Sequence, residues 1–227
     1  MNLKEHYDRL YADSIEKIKN DYYSIDNLID SSSDNRFGIT VLIRPSVDIK
    51  NKIQDFLDEL KKNNPNQYYY PNSDIHVTVL SIISCHDGFD LKTISIPEYQ
   101  KIIQKSIEDI KDLEIHFEGI TASNSAIMIQ GFMSNDSLNQ LRNNLRINFK
   151  NSGLQQSIDS RYAIQTAHST VMRFREKIID KESLLITLEE YRTFDFDKFK
   201  VENIELVYND WYQRYHFAQQ LHSFVLK

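Results

Sequence analysis

The order of apolar periods along this chain repeats itself, and the repetition limits the fold more than any other feature. FGITVLI (37–43) alternates as a strand and is closed by Pro45. Residues 48–62 carry Ile49, Ile53, Phe56, Leu57 and Leu60 at helical spacing on one face. DIHVTVLSIIS (74–84) is rich in β-branched residues, a helix over 97–110 starts at Pro97, and a strand follows over 113–121. The same order then recurs: a strand at 126–132, a helix at 134–150 with Ser134 as N-cap, a strand at 162–174, a helix at 182–192 and a strand at 201–212. A closing strand, 216–227, pairs most simply with the one before it. The body therefore reads as two copies of strand–helix–strand–helix–strand.

Ahead of this body, Leu3, Tyr7, Leu10, Tyr11, Ile15, Ile18, Tyr22, Ile25 and Ile29 keep three-and-four spacing, which predicts a helix over 3–29. SSSDN (31–35) breaks the pattern, so residues 1–35 are expected to be a helical extension packed on a domain spanning 36–227.

Charge narrows the partners. The 227 residues hold 33 acidic and 27 basic side chains, a formal charge of −6, whereas proteins that hold long nucleic acid draw affinity from a basic excess. A small or short anionic ligand fits better than a long duplex. The single cysteine, Cys85, excludes an internal disulfide framework and a cysteine-rich zinc site. The N-terminus is charged throughout and no stretch is apolar enough to span a bilayer, so a cytoplasmic location is expected, with no membrane partner.

Each copy carries the same short motif in its middle strand: His76-Val77-Thr78 and His168-Ser169-Thr170. Residues two apart in a strand share a face, so each copy presents an imidazole beside a hydroxyl. A lone His-x-Thr is a weak signal; two of them at matching places in apolar β segments are not. The other five histidines lack the pattern.

These residues resemble the 2H phosphoesterase superfamily, which includes 2′-5′ RNA ligase-like proteins and cyclic nucleotide phosphodiesterases. The likeness covers about residues 37–227 and is sharpest at IHVTVL and AHSTVMRF. It implies an α+β fold of two lobes about a pseudo-two-fold axis, with two mainly antiparallel sheets forming a central cleft and helices outside. It further implies that His76 and His168 are a catalytic pair and that Thr78 and Thr170 bind phosphate. Arg173 occupies the place of an arginine common after the second motif in the RNA ligase-like branch. Strand parity sets Arg173 opposite His168 unless the strand bends. The N-terminal helix is an addition to the family pattern, and AHSTV departs from its usual Pro-His opening.

The chemistry implied is hydrolysis or transesterification at a ribose 2′/3′ phosphodiester, a 2′,3′-cyclic phosphate or a 2′-5′ linkage, in a nucleotide or short oligonucleotide. One imidazole takes a proton and the other gives one, while the threonine hydroxyls meet charge on the phosphoryl oxygens. No metal or cofactor is required. A two-histidine metal site would need a further ligand, for which Asp74 is the sole candidate. A nucleotide-binding module without turnover is the alternative. Tyr68, Tyr69 and Tyr70 sit in a loop that could reach the cleft. Tyr70 and Trp211 are candidate substrate contacts, against a packing role for each. Arg175 is a plausible phosphate contact or a solvated surface residue. Cys85 and His86 read as structural residues of a turn, and 182–197 as a solvated helix face followed by a loop.

Overall fold

The computed structural model describes residues 2–226. Its frame is two antiparallel sheets. The first has the order β3 (Val77–Asp87), β1 (Arg36–Ile43), β8 (Asn203–Asp210), β9 (Gln219–Val225). The second has β2 (Tyr68–Tyr69), β6 (Ser169–Arg173), β5 (Ala126–Met133), β4 (Glu114–Ala122) and β7 (Asp195–Lys200). Each sheet is built around the opening strand of one sequence copy, β1 or β5, with the motif strand, β3 or β6, on one side. The strand on the other side comes from the other copy: β8 completes the first sheet and β4 the second. The two copies are therefore interlocked, because neither supplies all the strands its own sheet requires.

Among the described residues five α-helices pack on these sheets or on one another. α2 (Val47–Asn63) buries the five apolar residues of its predicted face, Ile49, Ile53, Phe56, Leu57 and Leu60. Each is worth roughly 1.5–3 kcal/mol of transfer free energy. Ser46 caps it by accepting from the Ile49 amide. α2 lies against β6, β7 and α5 (Lys181–Glu190), while α3 (Ile96–Ile107) and α4 (Ser137–Ser152) pack on each other. α3 also meets β9, and α4 meets β3. α4 starts later than predicted. Asp136 takes the cap position, and Ser134 instead donates its hydroxyl to Glu114 at 2.8 Å.

The N-terminal helix, α1, spans Leu3–Lys19 and covers β4, burying Tyr7, Ser14 and Ile18. It stops ten residues short of its expected end because Asp21 turns into the left-handed region, φ 59°. Tyr22 and Ile25 are exposed, and Ile29 is buried from a turn rather than from a helix face. Residues 22–26 run as a strap across the second sheet's edge. There Ser24 N–H donates to the Asn124 carbonyl and Asp26 N–H to the Phe174 carbonyl, both at 2.7 Å. β7 replaces the loop expected near 195, and Tyr68–Tyr69 form β2. No helix among the described residues is long and apolar enough to cross a membrane.

Candidate active site

Both motif strands contain β-bulges, and these decide what faces the cleft. On β3, Leu42 pairs with Thr78 but Val41 with Leu80, so Val79 is an extra residue; a second shift sets Thr40 opposite Ser81 and Ile39 opposite Ile83. On β6, Met128 pairs with Thr170 but Ile127 with Met172, making Val171 extra. A bulge resets the two-residue alternation. Thr78, Ser81 and Ser84 thus share one face of β3 at three-residue spacing, while Val79, Leu80, Ile82 and Ile83 are buried. Thr170 and Arg173 likewise share a face of β6, with Val171 and Met172 buried. Arg173 is therefore on the side opposite to the one that strand parity predicts: the strand does bend, and Arg173 joins His168 in the cleft. Ser81 is its counterpart, five residues after His76 as Arg173 is after His168.

The cavity between the sheets, about 190 Å³, is lined by His76, Thr78, His168, Thr170, Arg173, Tyr70 and Trp211, so the predicted site residues converge on one cleft. Sequence reasoning did not single out Ser81, Ser84, Asn209, Arg161 and Tyr162, which also line it. Superposing HVTVLS on HSTVMR would have found Ser81. Cys85 belongs to the end of β3 rather than to a turn and borders the same cavity. Arg175 lies outside the lining and pairs with Asp30 at 2.6 Å.

Each imidazole is held from its own lobe by the residue two positions earlier. His76 Nδ1 lies 2.7 Å from the Asp74 carbonyl. A carbonyl only accepts, so Nδ1 carries the proton and neutral His76 has its lone pair on Nε2. His168 Nδ1 lies 2.6 Å from the Thr166 hydroxyl, which can donate or accept. Neither ring makes a hydrogen bond through Nε2 to the described residues. Both groups are half-buried by accessible surface. Burial pushes each imidazole down from 6.5 to about 4. Nearby cations add to it: Arg44 and Arg173 around His76, and Arg142 and Arg173 around His168. At neutral pH the cleft holds two uncharged imidazoles.

Arg173 is fixed on three sides. Nε donates to the Tyr70 hydroxyl at 2.8 Å, Nη1 pairs with Asp26 at 3.6 Å, and the guanidinium lies 5.4 Å from the Tyr212 ring centre. Tyr70 is buried, and its hydroxyl meets Arg173 in the cavity wall. Trp211 has Arg36 at 4.7 Å and Arg161 at 4.5 Å over its ring. Arg161 also donates to the Cys85 carbonyl at 2.6 Å, tying the 157–164 loop to β3. Tyr162 projects from that loop at the cleft mouth, 70% exposed.

Asp74 is held within the chain through one carboxylate oxygen. Its carboxylate accepts from the Ser73 hydroxyl and the Tyr215 amide. Among the described residues no three His, Cys, Asp or Glu side chains converge as a metal site.

The fold is shared with solved structures at low identity. TT0787 of Thermus thermophilus aligns with TM-score 0.59 and 12% identity, over 83% of this chain and 97% of that one. E. coli LigT complexed with 3′-AMP aligns with TM-score 0.56 and 14% identity, over 85% and 99%. A structure described as a phosphoesterase gives 0.57 and 13%, over 84% and 98%. No curated protein sequence matches the chain significantly. Residues 39–221 match the AKAP7 2′5′ RNA ligase-like domain, and the chain belongs to that family, within the 2H phosphoesterase superfamily.

Proposed function

We propose that this chain is a phosphoesterase that opens or transfers a ribose 2′/3′ phosphodiester, a 2′,3′-cyclic phosphate or a 2′-5′ linkage, in a nucleotide or short oligonucleotide. The observation that carries the reading is the pair of imidazoles, each engaged through Nδ1 by its own lobe. Both are free at Nε2 and line one cavity with Thr78, Thr170 and Arg173. That is the equipment for moving two protons on opposite sides of one phosphorus. His76 and His168 are the general acid–base pair. The two hydroxyls and the Arg173 guanidinium meet the negative charge on the phosphoryl oxygens. An anionic phosphate between the rings favours their charged forms, offsetting the burial that keeps them neutral, so substrate itself promotes protonation of the acid. E. coli LigT, which shares the fold, has been seen with 3′-AMP and with phosphate, in keeping with a nucleotide phosphate as ligand.

The test is hydrolysis of a panel of 2′,3′-cyclic nucleotides and 2′-5′ dinucleotides in EDTA. Wild type is expected to turn over at least one member. His76→Ala and His168→Ala are each expected to lose about 100-fold or more in kcat. Tight nucleotide binding with no product over hours would replace this reading with that of a binding module. Activity abolished by EDTA and restored by a divalent ion would replace it with a metal-dependent hydrolase.

A further inference from the structure

Arg142, on α4, is wholly buried, at 0% exposure. Its guanidinium reaches both motif segments: Nε donates to the Val79 carbonyl at 2.9 Å, and Nη2 donates to the Thr78 carbonyl at 3.0 Å and the Thr166 carbonyl at 2.8 Å. It thus bonds to the backbone of the Thr78 that lines the cleft and of the Thr166 that holds His168. Nη1 is buried with no hydrogen-bond partner. Among the described residues no carboxylate pairs with it. The groups that bear on it are Arg146, a second cation, and the Tyr7 hydroxyl, which burial keeps protonated. A buried guanidinium with no counter-ion costs stability, and an amide side chain makes a purely structural tie with a smaller desolvation penalty.

We propose that Arg142 is a positioning residue. It ties β3 to the segment that leads into β6 at a fixed separation, and its counter-ion is the phosphate that binds on the far side of those backbones. The inference rests on the phosphoesterase reading for the identity of the anion. Arg is suited to both tasks, since its planar fork spans carbonyls of β3 and of the segment before β6 while its charge persists when buried. The groups facing His168 are Arg142 from α4, Arg173 from β6, His6 from α1 and His76 across the cleft, with the Thr166 hydroxyl on Nδ1.

The experiment uses the full chain with Arg142→Met and Arg142→Lys. It reads imidazole titrations by NMR, affinity for inorganic phosphate, and kcat and KM for a 2′,3′-cyclic nucleotide. With the cation removed, Arg142→Met is expected to raise the His168 midpoint by about half a pH unit or more and to weaken phosphate roughly tenfold. His76, whose cationic neighbours are Arg44 and Arg173, moves less. Arg142→Lys keeps the charge but loses the fork. Its phosphate affinity stays within about threefold of wild type while kcat falls about tenfold with KM little changed. Unchanged titration and phosphate affinity in Arg142→Met overturn the proposal, as does wild-type kcat in Arg142→Lys. The second arm decides alone if the methionine variant does not fold. If wild type turns over no panel member, the phosphoesterase reading fails, while the titration and phosphate arms still decide the role of Arg142.

Discussion

Arg173 enters the cleft because one residue, Val171, is left out of the β6 ladder. The matching bulge at Val79 brings Ser81 to the equivalent place, so the pseudo-two-fold site carries a guanidinium on one side and a hydroxyl on the other. On the phosphoesterase reading, a phosphate between them would be held asymmetrically, by charge-assisted bonds from Arg173 and a single weaker bond from Ser81. Removing the two side chains should therefore have unequal effects. Arg173→Met is expected to raise KM about tenfold or more with a smaller change in kcat, whereas Ser81→Ala raises it about threefold or less. Steady-state kinetics on the same cyclic nucleotide compare them, and equal effects would show that Arg173 directs its charge at Asp26 and Tyr70 instead of substrate. The histidines, the threonines and the arginine were legible as residue types at fixed spacings. The face on which Arg173 stands was not, because a bulge is set by pairing across the sheet and leaves no mark in the local two-residue period.

Elements whose burial follows one simple period were readable and the others were not. α2 buries five residues at helical spacing, and its ends fall within a residue of those the sequence predicts. β7 buries only Phe196 and Phe199, three apart, because Asp197 at φ 88° breaks the alternation, and its sequence DFDKFK reads as loop. α1 is shorter than its periodicity predicts because apolar residues happen to continue at helical spacing past the left-handed Asp21. The motif strand β6 is shorter than expected, and the segment before it is held by side chains, Arg146 donating to the Ile164 carbonyl and Arg142 to the Thr166 carbonyl, with Gly131 of β5 close behind it. A Cβ at Gly131 would lie 2.0 Å from the Ala167 carbonyl oxygen and 3.0 Å from the Ala167 Cβ. Backbone cannot yield there without moving Ala167, the residue before His168. Gly131→Ala is thus expected to lower kcat about tenfold or more and to cost about 1–3 kcal/mol of stability. Gly153→Ala is the control. It sits at φ +71° with nothing within 4 Å, so it incurs only the left-handed penalty of about 1–2 kcal/mol and leaves kcat unchanged. Similar kcat losses in the two variants would mean that the Gly131–Ala167 contact does not place His168.

At the scale of the whole molecule, exchange of β4 and β8 between the sheets makes the cleft the seam of one interlocked body, so charging the cleft is felt by global stability. Both imidazoles titrate near 4 in the folded chain against 6.5 for an unperturbed histidine. Between these values the unfolded chain binds protons that the folded chain does not, so acid favours unfolding across that window. Above about pH 6.5 neither state is protonated and the two histidines contribute no slope. Carboxylates such as Asp34, held low first by its hydrogen bond from Arg36, add acid sensitivity lower down. The histidine contribution is therefore cleanest between about pH 6.5 and 5, where carboxylates of ordinary or lowered pKa remain ionised in both states. The thermal midpoint is expected to fall through this interval in wild type and to fall less steeply in His76→Gln/His168→Gln. Inorganic phosphate should recover more of the midpoint at about pH 5.5 than at about pH 7.5, because a bound anion pairs with the protonated rings that acid would otherwise leave uncompensated. Midpoints that follow the same pH course in wild type and the double variant, with or without phosphate, would mean that the cleft does not hold its imidazoles neutral; the substrate-promoted protonation proposed for catalysis would then lose its basis.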